Sequence, residues 1–273
     1  MGILFSVLSW NVKHFKLKNS DTKSILKHIN KFKPDIFAIY EVTGKHVYDF
    51  MMDNFPDHSF HITEGKQSQE ILVGTHKKLH AFTTQRTEFN RTNTYLRPGT
   101  LTTLKINNQN YSLLFLHTKS HKTPIGFGTR DDQLKKALNL KAKLDKKTGG
   151  KNKAKFIIIG DLNTMGMDYL FNKNIQTEYE LKKLAKQAAN RGMKILEKNY
   201  DYTWTNGNKM FGNLDHVLAS NHIDFTIFSN KSKIQVSGWR EFLDNTQSPK
   251  NSQFTNFVKK ISDHNALYFE VKD

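Results

Sequence analysis

Cysteine is absent from the 273 residues. That excludes a disulfide framework and any thiolate metal site, and it fits a reducing compartment. Proline is scarce, with five in the chain, and no Ser/Gly-rich or Pro-rich stretch reads as a linker. One domain covering residues 1–273 is therefore expected. Missing too are an internal repeat and any apolar run long enough to span a membrane. The opening run Met-Gly-Ile-Leu-Phe-Ser-Val-Leu-Ser-Trp is apolar but has no basic lead and no small-residue cleavage site. It reads as a strand rather than a signal peptide, although Met-Gly with Ser6 fits the loose myristoylation pattern. A cytoplasmic monomer is the expectation. Acids are outnumbered: 25 Asp and Glu face 42 Lys and Arg, for a net charge of +17. Such a balance favours polyanionic partners, either nucleic acid or anionic lipid head groups, beside its plain role in solubility.

What is present is a series of short apolar strands that end in polar residues. Lys155 to Met165 reads Lys-Phe-Ile-Ile-Ile-Gly-Asp-Leu-Asn-Thr-Met. Phe156 to Ile159 form a buried-strand signal closed by Gly160. Asp161 and Asn163 follow two residues apart, and on an extended backbone they would point the same way. The rim at the carboxyl end of strands is where open α/β folds place their chemistry. Gly-Asp-Leu-Asn is also a sound turn sequence.

The same pattern recurs along the chain. Residues 3–12 read as a strand ending Ser9-Trp10-Asn11. Residues 21–32 read as a helix with Ile25, Ile29 and Phe32 at helical spacing, capped at Ser20 or Asp21 and stopped by Pro34. A strand over 35–42 ends in Glu41, and a short helix is expected over 45–53. Residues 59–62 and 70–75 look like paired strands, and 100–106 and 111–117 like a hairpin whose second strand ends in His117. A basic helix is expected over 129–147 and another over 178–190. A strand with Asp215 near its start follows, then a polar loop or short helix over 238–257. The chain closes with Ser262-Asp263-His264-Asn265 and an alternating strand. Strands interspersed with helices, several strands adjacent as hairpins, predict an α/β (α+β) fold of mixed sheets flanked by helices.

Each strand-end residue alone has an ordinary reading as a turn, a cap or, for His117, a satisfied core histidine. The recurrence in six segments argues for a site. Oxygen ligands without cysteine suit a hard cation, Mg²⁺ or Mn²⁺. Histidines with carboxylate partners suit proton transfer and stabilisation of phosphate oxygens. Metal, base and acid together are what phosphodiester hydrolysis needs.

In order, Ser9-Trp10-Asn11-Val12, Ile39-Tyr40-Glu41-Val42, Leu116-His117-Thr118-Lys119-Ser120, Ile159-Gly160-Asp161-Leu162-Asn163, Leu214-Asp215-His216-Val217 and Ser262-Asp263-His264 resemble the motifs of the endonuclease/exonuclease/phosphatase superfamily. The resemblance runs over residues 5–271. It implies a deoxyribonuclease I-like two-sheet α/β sandwich and assigns roles. Asn11, Glu41, Asp161, Asn163 and Asp263 would hold a divalent metal (Mg²⁺, with Mn²⁺ or Ca²⁺ as alternatives) and the attacking water. His117 and His264 would flank the scissile phosphate. Asp215 resembles the acid that orients the second histidine, and Glu70 the acid that pairs with the first. Arg97 stands where deoxyribonuclease-like members carry a phosphate-contacting arginine.

The departures refine the branch. Lys13 replaces the acid that follows the first motif in apurinic endonucleases, and Leu116-His117 replaces their Tyr and Asn, so the histidine-containing branch is favoured. Thr43 stands in place of a minor-groove arginine, and Ser68, two before Glu70, in place of an aromatic residue. His-Thr-Lys-Ser followed by Arg130 is similar to small bacterial members. The leading expectation is a Mg²⁺-dependent DNA endonuclease. The nine lysines among the 21 residues 135–155 are either phosphate contacts or a solvated face. The second reading is a sphingomyelinase- or inositol-phosphatase-like hydrolase of lipid or small-molecule phosphates. It is disfavoured because no aromatic-tipped hairpin stands out and Trp239 and Phe242 read as core anchors. The third, a catalytically silent nucleic-acid binder, is disfavoured by the intact ligand set.

Overall fold

The computed structural model describes residues 2–18, 20–44, 46–65, 69–90, 93, 95–208, 210–244, 246, 248–249 and 252–273. Lys45, at the start of the expected second helix, and Ser68 lie outside the described residues. In chain order the elements are β1 (Ile3–Phe15), α1 (Thr22–Phe32), β2 (Ile36–Val42), α2 (His46–Asn54), β3 (His58–Ile62), β4 (Glu70–His76), β5 (Ala81–Arg86), β6 (Gly99–Ile106), β7 (Gln109–His117), α3 (Pro124–Lys147), β8 (Lys155–Asp161), α4 (Thr177–Ala189), β9 (Met193–Ile195), β10 (Trp204–Thr205), β11 (Phe211–Gly212), β12 (Asp215–Ser220), β13 (Asp224–Phe225), β14 (Gln235–Ser237), α5 (Ser252–Lys260) and β15 (Ala266–Lys272). The chain divides into two compact units. The first comprises Met1–Leu79, Glu197–Gly212 and Asp224–Asp273, and the second His80–Leu196 and Asn213–Ile223.

The first unit is built on a sheet of order β13-β15-β1-β2-β4-β3, with β14 also paired to β15. β1 and β2 run parallel and the other pairs antiparallel. Phe5 to Val12 is buried without alternation, the pattern of a strand covered on both faces. α1 begins where the Asp21 carboxylate accepts the Ser24 amide at 3.1 Å. It buries Ile25 and Ile29 on one stripe and stops at left-handed Lys33, ahead of Pro34. A core of Leu8, Trp10, Ile25, Ile29, Phe37, Ile39, Met51, Trp239, Phe254 and Phe257 results. The polar stretch 238–257 resolves into a 3-10 turn at Trp239–Phe242 followed by α5. Trp239 is fully buried, as expected of a core anchor.

His28 of α1 sits in that core against Trp10 at 4.6 Å, Phe32 at 5.8 Å and Phe257 at 5.9 Å between ring centroids. Burial lowers its pKa to about 4, with Lys31 adding to the shift and Glu241 opposing it. Because the unfolded histidine binds a proton at higher pH than the folded one, stability is full above pH 6.5 and falls as pH drops towards 4. The linkage is worth about 3 kcal/mol once both states are protonated. His28→Leu is therefore expected to flatten the fall in melting temperature over that window, as read by thermal unfolding at a series of pH values.

The second unit is a sheet of order β5-β6-β7-β8-β12-β9. β7 and β8 are parallel, joined through α3, and their neighbours antiparallel. Phe156 to Ile159 are at most 1% exposed, as the apolar run requires. Leu134, Ala137, Leu138, Leu184, Ala188 and Met193 pack a core with them. α3 starts five residues before the expected 129. Thr123 caps it by accepting the Gly126 amide at 3.1 Å, and Pro124 occupies its first turn. Gly126 and Gly128 conceal that start in the sequence, because glycine weakens any helical pattern. The short strands β5 and β9 carry too little apolar alternation to be read from sequence: Phe82 of β5, for one, is 72% exposed.

The lysine run on α3 and the following loop is partly spoken for. Lys135 and Lys136 pair with Asp131 and Asp132, each at 2.7 Å. Lys141 is buried on Asp145 at 2.5 Å, and Lys155 donates to the Tyr111 hydroxyl at 2.8 Å. Lys143, Lys146, Lys147, Lys151 and Lys153 are exposed.

Candidate active site

Each unit gathers one cluster of the polar residues singled out by sequence. In the first, the parallel pair β1/β2 places Asn11 opposite Tyr40, and the register then breaks before Phe15 meets Val42. Across that break Lys13, His14 and Glu41 adopt positive φ of 43°, 51° and 62°. Non-glycine residues held there store about 1–3 kcal/mol of strain each and cluster at functional sites. The bulge turns Asn11 to Glu41: its Nδ2 donates to Glu41 Oε1 at 3.2 Å, while its Oδ1 accepts the Lys13 amide at 3.0 Å. Glu41 Oε2 accepts the His14 amide at 3.0 Å and lies 3.2 Å from the His14 ring. Lys13 Nζ reaches Asp263 Oδ2 at 3.4 Å.

The segment 262–264 is tied down on every side. Ser262 Oγ donates to the Asn11 carbonyl at 2.6 Å and accepts the His264 amide at 2.9 Å. The indoles of Trp10 and Trp239 donate to the carbonyls of His264 and Asp263 at 3.0 and 2.9 Å. Thr205 and Asn265 add backbone pairing through Thr205 N to Asp263 O and Asn265 N to Thr203 O. His264 is 5% exposed and Asn11 1%. Glu70, at the start of β4, faces Val42 in register and accepts from the Thr63 hydroxyl.

In the second unit, β7, β8 and β12 bring their ends into line. His117 is opposite Asp161 in the parallel ladder, and Asp215 is opposite Asp161 in the antiparallel one. His117 Nε2 stands 3.4 Å from Asp161 Oδ2. All three are at most 4% exposed, so the histidine and carboxylates meet away from water, where charge interactions are strengthened. Asn163 joins them differently from the extended-strand expectation. β8 ends at Asp161, and Asn163 takes a left-handed conformation with φ of 49°. Its amide donates to Asp161 Oδ1 at 3.1 Å, and its Nδ2 to the Thr118 carbonyl at 3.1 Å. Gly-Asp-Leu-Asn is thus a turn and a carrier of the clustered polar groups at once. The Asp161 carbonyl in turn accepts the Thr118 amide at 3.0 Å. Arg97, half-buried, lies in the segment leading into β6.

Sequence reasoning missed several participants. His14, beside Glu41, carried no signal, since only the bulge brings it there. Thr164 and His216 form a buried pair at 2.7 Å; His216 follows Asp215 directly, and alternation along β12 sends it to the other side. A hairpin-like loop, bridged at Met167 and Ile175, exposes Leu170 by 93% and Phe171 by 87%. No period-2 pattern announced this apolar tip, and its presence corrects the expectation that none stands out.

Two mixed sheets flanked by helices define the deoxyribonuclease I-like α/β class. The fold is shared with solved structures that cover 98% of this chain. Truncated TDP2 from Caenorhabditis elegans matches with TM-score 0.67 at 17% identity over 98% of its own chain. TDP2 from D. rerio, complexed with a single-strand DNA product, gives 0.67 at 16% identity over 99% of its own chain. A mannosyl-6-phosphatase from Bacteroides thetaiotaomicron gives 0.59 at 13% over 100% of its own chain. No curated protein matches in sequence. The family model described as Endonuclease/Exonuclease/phosphatase family matches residues 8–264; the chain belongs to that family, whose members hydrolyse phosphate esters and diesters.

Proposed function

We propose that this chain is a divalent-metal-dependent phosphodiesterase that cleaves DNA internally. The observation that carries the reading is the in-register meeting of His117, Asp161 and Asp215, with Asn163 folded back onto Asp161. A binding module has no use for two buried carboxylates and a histidine gathered at strand ends. The net charge of +17 supports a polyanionic substrate, and a neighbour holding a DNA product is in keeping with it.

The oxygen donors fit a hard cation: Asn11, Glu41 and Asp263 are amide and carboxylate groups, and no sulfur competes. Glu41, Asn11 and Asp263 would hold Mg²⁺, which would supply charge neutralisation at the phosphate oxygens. Asp161 and Asn163 would orient and deprotonate the attacking water. His117 and His264 would donate hydrogen bonds to phosphate oxygens that gain charge in the transition state. Asp215 would set the orientation of a histidine, as carboxylates do for catalytic imidazoles. Arg97 would contact a phosphate, and Glu70 would act through a histidine. A cytoplasmic monomer remains the proposal. Among the described residues no helix is long and apolar enough to cross a membrane.

The test is cleavage of supercoiled plasmid, linear duplex, single strands and RNA with Mg²⁺, Mn²⁺ or chelator. Plasmid nicking is expected, abolished by chelator, and weakened about tenfold or more between roughly 50 and 200 mM salt. Absence of cleavage, with phosphate release from phospholipid or sugar phosphate instead, would overturn it. That second outcome has one observation behind it, the exposed Leu170-Phe171 tip, which suits an apolar substrate portion.

A further inference from the structure

Arg130 of α3 is fully buried, and each of its five N–H groups has an acceptor. Nε donates to Glu180 Oε1 at 2.8 Å, and Nη2 to Glu180 Oε2 at 3.1 Å and the Gly166 carbonyl at 2.9 Å. Nη1 donates to the carbonyls of Lys119 at 3.1 Å and His121 at 3.2 Å. Glu180, in the first turn of α4, also accepts the Gly166 amide at 2.8 Å. One turn along α3, Gln133 accepts the Lys119 amide at 2.9 Å and donates to the Phe89 carbonyl at 3.0 Å. The two loops held this way are those that leave β7 at His117 and β8 at Asp161.

We infer that Arg130 and Glu180 are positioning residues: a buried, fully satisfied ion pair that fixes the loop following His117 and the loop carrying Asn163 relative to each other. The inference rests on the proposed hydrolytic function for its catalytic consequence, but not for its structural one. The two loops already touch through Asn163 Nδ2 and the Thr118 carbonyl and through the Thr118 amide and the Asp161 carbonyl. Those bonds lie at the loops' roots. The clamp grips the first loop one and three residues beyond Thr118, at Lys119 and His121, and the second three residues beyond Asn163, at Gly166, which removes the hinge freedom the roots alone would leave. Gly166 is the point of grip, with φ of +74° and a Cβ that would stand 2.1 Å from the Ile175 carbonyl, so the loop passes through a position only glycine occupies. Lysine cannot replace Arg130, because an ammonium offers three donors without the planar fork. A plain stability role predicts something different. Lys141 and Asp145 form a second buried pair about three to four turns along the same helix, on no loop that leads from His117 or Asp161.

The experiment compares the full chain with Arg130→Lys, Glu180→Gln and Lys141→Met. Hydrolysis of bis(p-nitrophenyl) phosphate and of DNA is read as kcat and KM, and amide hydrogen exchange is followed over 118–123 and 162–168. Arg130→Lys and Glu180→Gln are expected to lower kcat about 100-fold, as small misplacement of reacting groups does, with KM within about twofold. The Gly166 amide should exchange at least about tenfold faster in Glu180→Gln. Lys141→Met should lose melting temperature yet keep kcat within about twofold and leave both loops protected. A folded Glu180→Gln with native exchange at Gly166 overturns the clamp, as does native kcat or an equal loss of kcat in Lys141→Met. Should the unaltered chain hydrolyse no phosphodiester, the proposed function fails, and exchange at Gly166 alone decides the clamp.

Discussion

Replacing Asp161 with alanine should lower phosphodiester hydrolysis by about 10²–10⁴-fold while the protein stays folded, and His264→Ala should do the same. Asp161 stands at the last position of β8, 2% exposed. It lies 3.4 Å from His117 Nε2 and accepts the Asn163 amide at 3.1 Å. Its removal takes away both the charge facing His117 and the acceptor that shapes the turn at Asn163. The strand itself is held by pairing on both sides, from Tyr111 to His117 and from Asp215 to Ala219. For His264, the backbone is gripped by Ser262, Trp10 and Thr203–Thr205 whatever the side chain. Melting temperatures are therefore expected within about 5 °C of the parent, which for a chain of this size is one or two kcal/mol. Residues serving one chemical step show strongly non-additive losses. The double variant should consequently be no more than about tenfold worse than the poorer single one. Multiplicative losses would mean that the two residues serve separate steps, and wild-type rates in either single variant would remove it from the site.

The second large effect is on stability, at Trp10. Its indole is 1% exposed, packs on His28 and Phe257, and donates to the His264 carbonyl at 3.0 Å. Trp10→Ala opens a cavity in the first unit's core and is expected to cost about 3–5 kcal/mol. Trp10→Phe keeps most of the ring and leaves the buried carbonyl without its donor, a loss of about 1–3 kcal/mol. Because that carbonyl belongs to His264, Trp10→Phe should also lower kcat, by about tenfold, whereas a core substitution of similar cost at Ile29 should not. Urea unfolding with parallel kinetics measures both. Equal kcat in Trp10→Phe and the parent would reduce Trp10 to a packing residue.

Much of the architecture follows from local pattern. β2, β7 and β8 formed close to where expected, because runs of consecutive apolar residues have few other ways to be buried, while β1 began where expected but continued past Asn11 to Phe15. Asp21 capped α1 for the reason that Asp is a good cap. Local pattern failed where the determinant is not local. The left-handed turns at Lys13, His14 and Glu41 are imposed by a register break between two strands. The early start of α3 depends on Thr123 overruling two glycines. The lysine run divided into pairs and exposed heads only once Asp131, Asp132 and Asp145 had a helix to place them.

The sequence by itself determined the residue types of the polar clusters, their placing at strand ends and the absence of sulfur ligands. These depend on chain-local propensity and on composition alone. The tertiary structure decided which strand ends meet: β7, β8 and β12 set His117, Asp161 and Asp215 in one row, and the bulge set Asn11 on Glu41. It also decided that Asp161 and Asn163 converge through a turn rather than along a strand. Such meetings are made by ladder register and by buried groups like Arg130, whose partners lie 11, 36 and 50 residues away. No window of sequence holds that information, since each bond's value depends on the desolvation that the whole fold provides.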